Sequence, residues 1–304
     1  MTTMTKSVGV GLAHGKAILL GEHTVVYGTP AIALPMAGLT VSAAARHGTR
    51  TAPRDDHIDA TIEAAADAAL RRRRAPAGIP HVEITCGIPL GRGLGSSAAC
   101  ATAAVRAVAD LYDAYRESDA LYDLVQHSER QVHGSASGVD ARAVAADTPI
   151  WFEHGTARPL TFGRPAVFVV ADTGVSGATG KAVACVREVL GADPARAERF
   201  LARARMLVCA AADAVVSGRL DVLGQRMLIF QDLLGELGVS TPAIDRLVAA
   251  ALEAGAHGAK LTGGGLGGCV VALTGSADGV ERLRAALREA GAVSTWTIAF
   301  GAGS

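Results

Sequence analysis

Only 4% of this 304-residue chain is aromatic, lysine occurs four times (Lys6, Lys16, Lys181 and Lys260), and the formal net charge is zero. Each shortage excludes something. With so few rings, the hydrophobic half of the chain must pack through Ala, Val and Leu. A balanced charge gives no general attraction to nucleic acid or to an anionic membrane surface. The one basic run, Arg71 to Arg74, closes a helical stretch, where cations complement the helix dipole. No apolar run reaches the roughly 18 residues of a membrane span, and no apolar segment of signal-peptide length opens the chain, so a soluble, cytoplasmic protein is expected. The five cysteines (Cys86, Cys100, Cys185, Cys209 and Cys269) include no C-x-x-C pair and sit in apolar contexts, which reads as buried free thiols in a reducing compartment.

Two phosphate-binding signatures are missing as well. A Walker A loop requires G-x-x-x-x-G-K-[ST], and the nearest string, 175–182, lacks the first glycine and the final hydroxyl. A G-x-G-x-x-G does occur at Gly263, Gly265 and Gly268, but the residues after it, 269–273, read as a strand, whereas a dinucleotide fingerprint must open a helix.

What the chain has instead is Pro89-Leu-Gly-Arg-Gly-Leu-Gly-Ser-Ser-Ala-Ala99, between a predicted strand at 81–88 and an Ala-rich helix starting near Ser96. Glycines at alternate positions let the backbone approach a ligand closely. The following helix N-terminus points unpaired N–H groups and partial positive charge at the same place, which suits a phosphate. Ser96 and Ser97 add hydroxyls for capping or for Mg²⁺. A tight strand-to-helix connection with a serine cap explains the same residues equally well.

Alternation predicts strands at 8–12, 15–20, 31–34 and 39–46, with a loop at 21–28. An apolar stripe through Ile58, Ile62, Ala65, Ala66, Ala69 and Leu70 predicts a helix at 57–74. Helices follow at 96–115 and 118–133, with a short one opened by Ser137-Gly-Val-Asp140, then a strand at 149–154. Polar, turn-forming composition at 155–164 marks a domain boundary. Beyond it come a strand at 166–172, a Gly/Ser/Thr loop at 173–180, helical sequence to about residue 255, strands flanking 263–268, a helix at 278–290 and a last strand at 293–300. Thr241-Pro242 is a helix start, threonine as cap and proline at the first position.

The reactive side chains each have a plain alternative. Lys16 in a strand is a phosphate or substrate ligand if buried and ordinary if exposed. Glu22 and His23 in a tight loop suit hydroxyl and carboxylate groups of a small substrate, or water. Ser137-x-x-Asp140 fits a capping box, and Glu129 fits a surface helix position. In Lys260-Leu-Thr-Gly-Gly-Gly-Leu-Gly-Gly-Cys269, five glycines in six residues exceed what a hairpin needs, so close approach to a ligand or to the first glycine loop is expected.

Taken together, Gly15-Lys-Ala-Ile-Leu-Leu-Gly-Glu-His-Thr-Val-Val-Tyr-Gly28, the stretch 89–99, the segment from Glu129 to Asp140 and the loop from Lys260 to Cys269 resemble, in order and spacing, the motifs of the GHMP kinases (galacto-, homoserine, mevalonate and phosphomevalonate kinases). Gly-Glu-His-Thr-Val-Val-Tyr-Gly is similar to the mevalonate kinases in particular. The resemblance implies a two-domain α+β fold: an N-terminal ribosomal-S5-like α/β domain at 1–158 and a C-terminal ferredoxin-like α+β domain at 159–304, with the active site in the cleft. It implies ATP as co-substrate, Mg²⁺ as cofactor, mevalonate as acceptor, no nucleic-acid or membrane partner, and room for a homodimer. By the same resemblance, Gly91, Arg92, Gly93, Leu94, Gly95, Ser96 and Ser97 would wrap the ATP phosphates. Ser97 and Glu129 would hold Mg²⁺. Asp140 would be the catalytic base, with Lys16 beside it, and Lys16, Glu22, His23, Asp140 and Thr179 would line the substrate site. Ala178 stands where the family has serine, Arg92 where it has alanine, and His14 where it has proline. A kinase for phosphomevalonate or another phosphorylated acid would want more cations than 173–180 supplies. A non-catalytic nucleotide-binding regulator would be expected to lose Asp140 or Glu129.

Overall fold

The computed structural model describes residues 6–48, 56–72, 80–114, 118–133 and 137–301. Arg73, Arg74 and Tyr115, placed in helices by the sequence pattern, lie outside the described residues. The chain forms two compact units: Met1–Gly15, Leu39–Pro89 and Gly95–Ala145 make one, and Lys16–Gly38, Leu90–Leu94 and Ala146–Ser304 make the other. The division falls inside strands β1 (Val8–Leu20) and β2 (Ala31–Arg46), which contribute to both.

In the first unit, β2 pairs antiparallel with β3 (His81–Cys86), Val41 opposite Cys86 and Arg46 opposite His81. Its helices are α1 (Asp56–Arg72), α2 (Ser96–Leu111), α3 (Ser118–His133) and α4 (Val139–Ala143). Helix α2 is buried along nearly its whole length, through Ala98, Ala101, Ala104, Val105, Ala107 and Val108 among others. It lies directly on β1: a Cβ on Gly9 would come 2.2 Å from the Ala107 carbonyl oxygen, and one on Gly11 would come 2.0 Å from that of Ala103. Backbone-on-backbone contact of this kind lets an Ala-rich core reach close packing without aromatic rings.

In the second unit, Ala31–Ala33 of β2 pair with β4 (Ile150–Glu153), which pairs with β5 (Thr156–Pro159). After β6 (Ala166–Asp172) come four helices, α5 (Thr179–Gly191), α6 (Pro194–Val216), α7 (Leu220–Glu236) and α8 (Pro242–Glu253). Strands β7 (Gly258–Thr262) and β8 (Cys269–Thr274), helix α9 (Ala277–Glu289) and strand β9 (Ser294–Phe300) complete it. The four-stranded antiparallel sheet runs β7-β8-β6-β9, the split-βαβ order of a ferredoxin-like layer. Thr241 caps α8 by accepting from the Ile244 N–H at 3.3 Å, with Pro242 at the first position, as its sequence predicts.

Some expectations change. The pairs 8–12 with 15–20, and 31–34 with 39–46, are single strands. Pro35 and Gly38 fall between the part of β2 that pairs with β4 and the part that pairs with β3, within a strand that also has β1 as its neighbour. The polar stretch 155–164 contains β5. Of the cysteines, all free, only Cys269 is buried and Cys209 is exposed, so apolar sequence context overstated their burial. Among the described residues, no helix is long and apolar enough to cross a membrane.

Candidate active site

Three loops of the second unit interlock. Leu90–Leu94 meets 263–268 backbone to backbone: a Cβ on Gly263 would come 2.7 Å from the Gly93 carbonyl oxygen, and one on Gly268 would come 2.9 Å from that of Arg92. The third loop, 173–178, joins through the Gly177 N–H, which donates to Gly91 O at 2.8 Å, and the Gly268 N–H, which donates to Val175 O at 2.8 Å. Arg92 Nε adds an ion pair of 3.1 Å to Asp172, the last residue of β6. The Lys16 N–H donates to Leu94 O at 3.0 Å, tying β1 to the same cluster. The approach of the two glycine loops expected from sequence is therefore met, and Thr179, first residue of α5, packs its side chain against Gly264.

Beside these loops lies a buried charge cluster. Lys16 is 2% exposed, Glu22 4% and Lys260 0%, so neither Lys16 nor Glu22 is a solvated residue. Lys260 Nζ donates to the Glu22 carboxylate and to the Leu261 carbonyl. Burial raises the Glu22 pKa and lowers that of Lys260, while each partner's charge opposes the shift; Lys16 is close enough to act on both. Glu22 Oε2 is buried without a hydrogen-bond donor, so an acceptor is left for a hydroxyl entering here. Lys260 has no role in the sequence reading. The scarcity of lysine was the one available sign, because its partner is 238 positions away.

His23 stands next to this pair with φ 61°, a left-handed conformation uncommon for a residue with a Cβ, and its Nε2 is 3.1 Å from Gly264 O. Burial lowers its pKa to about 4, partly offset by the bond to Gly264. The unfolded imidazole titrates near 6.5, so between these values the unfolded chain binds the extra proton. Stability is accordingly complete above about pH 6.5 and falls as pH drops toward 4, by at most about 3 kcal/mol. Urea unfolding at pH 7 and pH 5 should show a larger loss for the native chain than for His23→Gln; equal losses would rule out this source of acid sensitivity.

In the first unit, Gly95 takes a left-handed conformation (φ 79°) as N-cap of α2, and no side chain caps that end. Uncapped amides at Ser96 and Ser97 leave an anion-binding terminus. Ser97 Oγ donates to Glu129 Oε1 at 2.9 Å, and Glu129, on α3, is 5% exposed rather than a surface carboxylate. Asp140 is not the acid of a capping box: Gly138 (φ 92°) is the N-cap of α4, Asp140 is its second residue, and Ser137 Oγ accepts from the Val139 N–H at 3.3 Å.

The chain matches the family model "GHMP kinases N terminal domain" at residues 60–147 and "GHMP kinases C terminal" at 211–293. It is 35% identical over 293 residues to a mevalonate kinase of Pyrococcus horikoshii, covering 86% of this chain and 87% of that one. The chain belongs to the GHMP kinases. It is also 36% identical over 298 residues to the mevalonate kinase of Thermococcus gammatolerans, with the same shares covered. A crystal structure of L. major mevalonate kinase in complex with R-mevalonate superposes with TM-score 0.82 at 26% identity, over 99% of this chain and 98% of that one.

As a GHMP kinase, the protein is an ATP-dependent small-molecule kinase. Its donor set fits a divalent ion that binds mainly through nucleotide: Ser97 and Glu129 offer adjacent hard oxygens. Among the described residues no cluster of three His, Cys, Asp or Glu exists to hold a metal alone. Mg²⁺ takes few protein oxygens and fills its shell with phosphate and water.

Proposed function

We propose that this GHMP kinase transfers the γ-phosphoryl group of ATP to the 5-hydroxyl of (R)-mevalonate, giving 5-phosphomevalonate on the route to isoprenoids. The observation that carries the reading is the 35% identity, over 293 residues, to a mevalonate kinase. A division of the family domains near residue 158, in the stretch between the matched segments 60–147 and 211–293, is part of the same proposal.

Phosphoryl transfer depends on positioning and on neutralising phosphate charge. Backbone N–H groups from Gly91 to Ser97 hold the ATP phosphates. Ser97 and Glu129 would hold Mg²⁺, which when bound would offset the negative charge of the phosphates. Glu22 accepts a hydrogen bond from mevalonate through its open oxygen, with His23 and Thr179 completing the substrate contacts. A primary alcohol is too weak an acid to lose its proton fully to a carboxylate beforehand, so Asp140 orients the hydroxyl and takes the proton late. Lys16 steadies the charge on the moving phosphoryl group. A cytoplasmic location and a homodimer are part of the reading; sedimentation tests the second.

An ADP-release assay over mevalonate, phosphomevalonate, homoserine and galactose should give mevalonate the highest kcat/KM by on the order of 10²-fold. A preference for another acceptor would remove the substrate assignment and leave the family intact. Ser97→Ala and Glu129→Gln should each raise the Mg²⁺ concentration for half-maximal activity about 10-fold or more, with partial recovery at high Mg²⁺. An unchanged Mg²⁺ dependence in both would defeat the metal assignment.

A further inference from the structure

Away from the glycine loops, the second unit carries a cavity of about 580 Å³. Its lining includes Arg164, just before β6, and Thr274, the last residue of β8. The glycine loop 263–268 joins the opposite end of β8, so the length of that six-residue strand, about 17 Å, separates the two places. The volume suits a small molecule.

The chemistry of the lining is cationic. Arg164, Arg219 and Arg282 line it together with one carboxylate, Asp221. Four arginines elsewhere in the fold are held by acids: Arg46 by Glu83, Arg142 by Asp119, Arg203 by Glu236 and Arg205 by Glu153. Arg164 and Arg282 have no acidic or hydrogen-bonding partner among the described residues, and Arg219 donates to the Ser217 hydroxyl at 2.9 Å. Two helix N-termini open on the same space, α7 at Leu220, which no side chain caps, and α9 behind Ser276. Independently of these, Thr274 lines the cavity at 4% exposure, and its hydroxyl has no hydrogen-bond partner among the described residues. The residue is buried but its unpaired hydroxyl reaches the cavity, where it is open to a ligand. Guanidinium groups, helix-end amides and a free hydroxyl together are phosphate-binding chemistry.

We propose that this cavity is a second anion site, which takes the condensed phosphate group of a small di- or triphosphate, apart from the loop that holds the ATP phosphates. Three guanidinium groups against one carboxylate leave two positive charges, more than a single phosphate ester needs and suited to a diphosphate.

Inorganic pyrophosphate, titrated into the ¹⁵N-labelled full chain without divalent cations, is the probe. The amide signals of Leu220 and Ser276 should move saturably, in addition to any change in the glycine loops. Arg164→Gln with Arg282→Gln should raise the dissociation constant read at Leu220 and Ser276 at least about 10-fold and leave the glycine-loop response unchanged. Asp221→Asn, which removes the one opposing charge, should lower it. Kinase activity without pyrophosphate should be unaltered in all these variants, which shows that they fold. Movement confined to the glycine-loop signals would overturn the proposal, and so would an unchanged response at Leu220 and Ser276 in the arginine and Asp221 variants.

Discussion

Asp140→Asn is expected to lower kcat on the order of 10²-fold or more while changing the unfolding free energy by less than about 1 kcal/mol. Asparagine keeps the shape of the side chain and removes the carboxylate proposed to take the substrate proton. The competing account, that Asp140 only completes a capping box with Ser137, has lost its geometric basis, because α4 begins at Val139 behind a left-handed Gly138. Turnover and thermal unfolding of this one variant separate the accounts. Near-normal kcat would remove Asp140 from the chemistry, and a large loss of stability would mark it as structural.

Lys260→Met should have the largest effect on stability, a loss of about 3–5 kcal/mol at neutral pH. The substitution leaves Glu22 buried without the cation that donates to it. Burial already holds the Glu22 pKa above its ordinary value, and loss of Lys260 raises it further. A carboxyl whose folded pKa is raised binds a proton more readily folded than unfolded, so the deficit should shrink as pH falls from the raised value toward 4.5, where the unfolded group titrates. Glu22→Gln added to Lys260→Met should restore most of the lost stability, since the uncompensated charge is gone. A deficit that ignores both pH and the second substitution would mean that lost packing, including the contact of Lys260 Nζ with the Phe230 ring at 5.7 Å, explains it instead.

Much of this is written in local sequence. The glycine run before Ser96, the Thr241-Pro242 start and the strand at 166–172 each depend on neighbouring residues, and each appears where the pattern puts it. Other features depend on partners far along the chain. Glu22 reads as a loop acid until Lys260 is folded against it, and Glu129 reads as a surface acid until Ser97 reaches it. Pro35 and Gly38 look like a strand break because sequence does not reveal the neighbouring strands that carry β2 through them. Strand β5 carries no apolar alternation, being largely exposed and held by its pairing with β4. The one-residue error in the capping box at Ser137 came from Gly138, whose positive φ moves the helix start past the serine.

The contact of Gly93 with Gly263 constrains how such a chain can vary over generations. Neither position has room for a methyl group: one on Gly263 would come 2.8 Å from the Gly93 Cα, and one on Gly93 would come 3.2 Å from the Gly263 Cα. Both also hold φ values near those only glycine takes readily, 73° and 82°. A first substitution at either site is therefore harmful whatever residue the other carries, and no compensating second step makes it safe. Two such positions stay constant together and so never co-vary. Methods that infer contacts from correlated change would be blind to the place where these two loops touch.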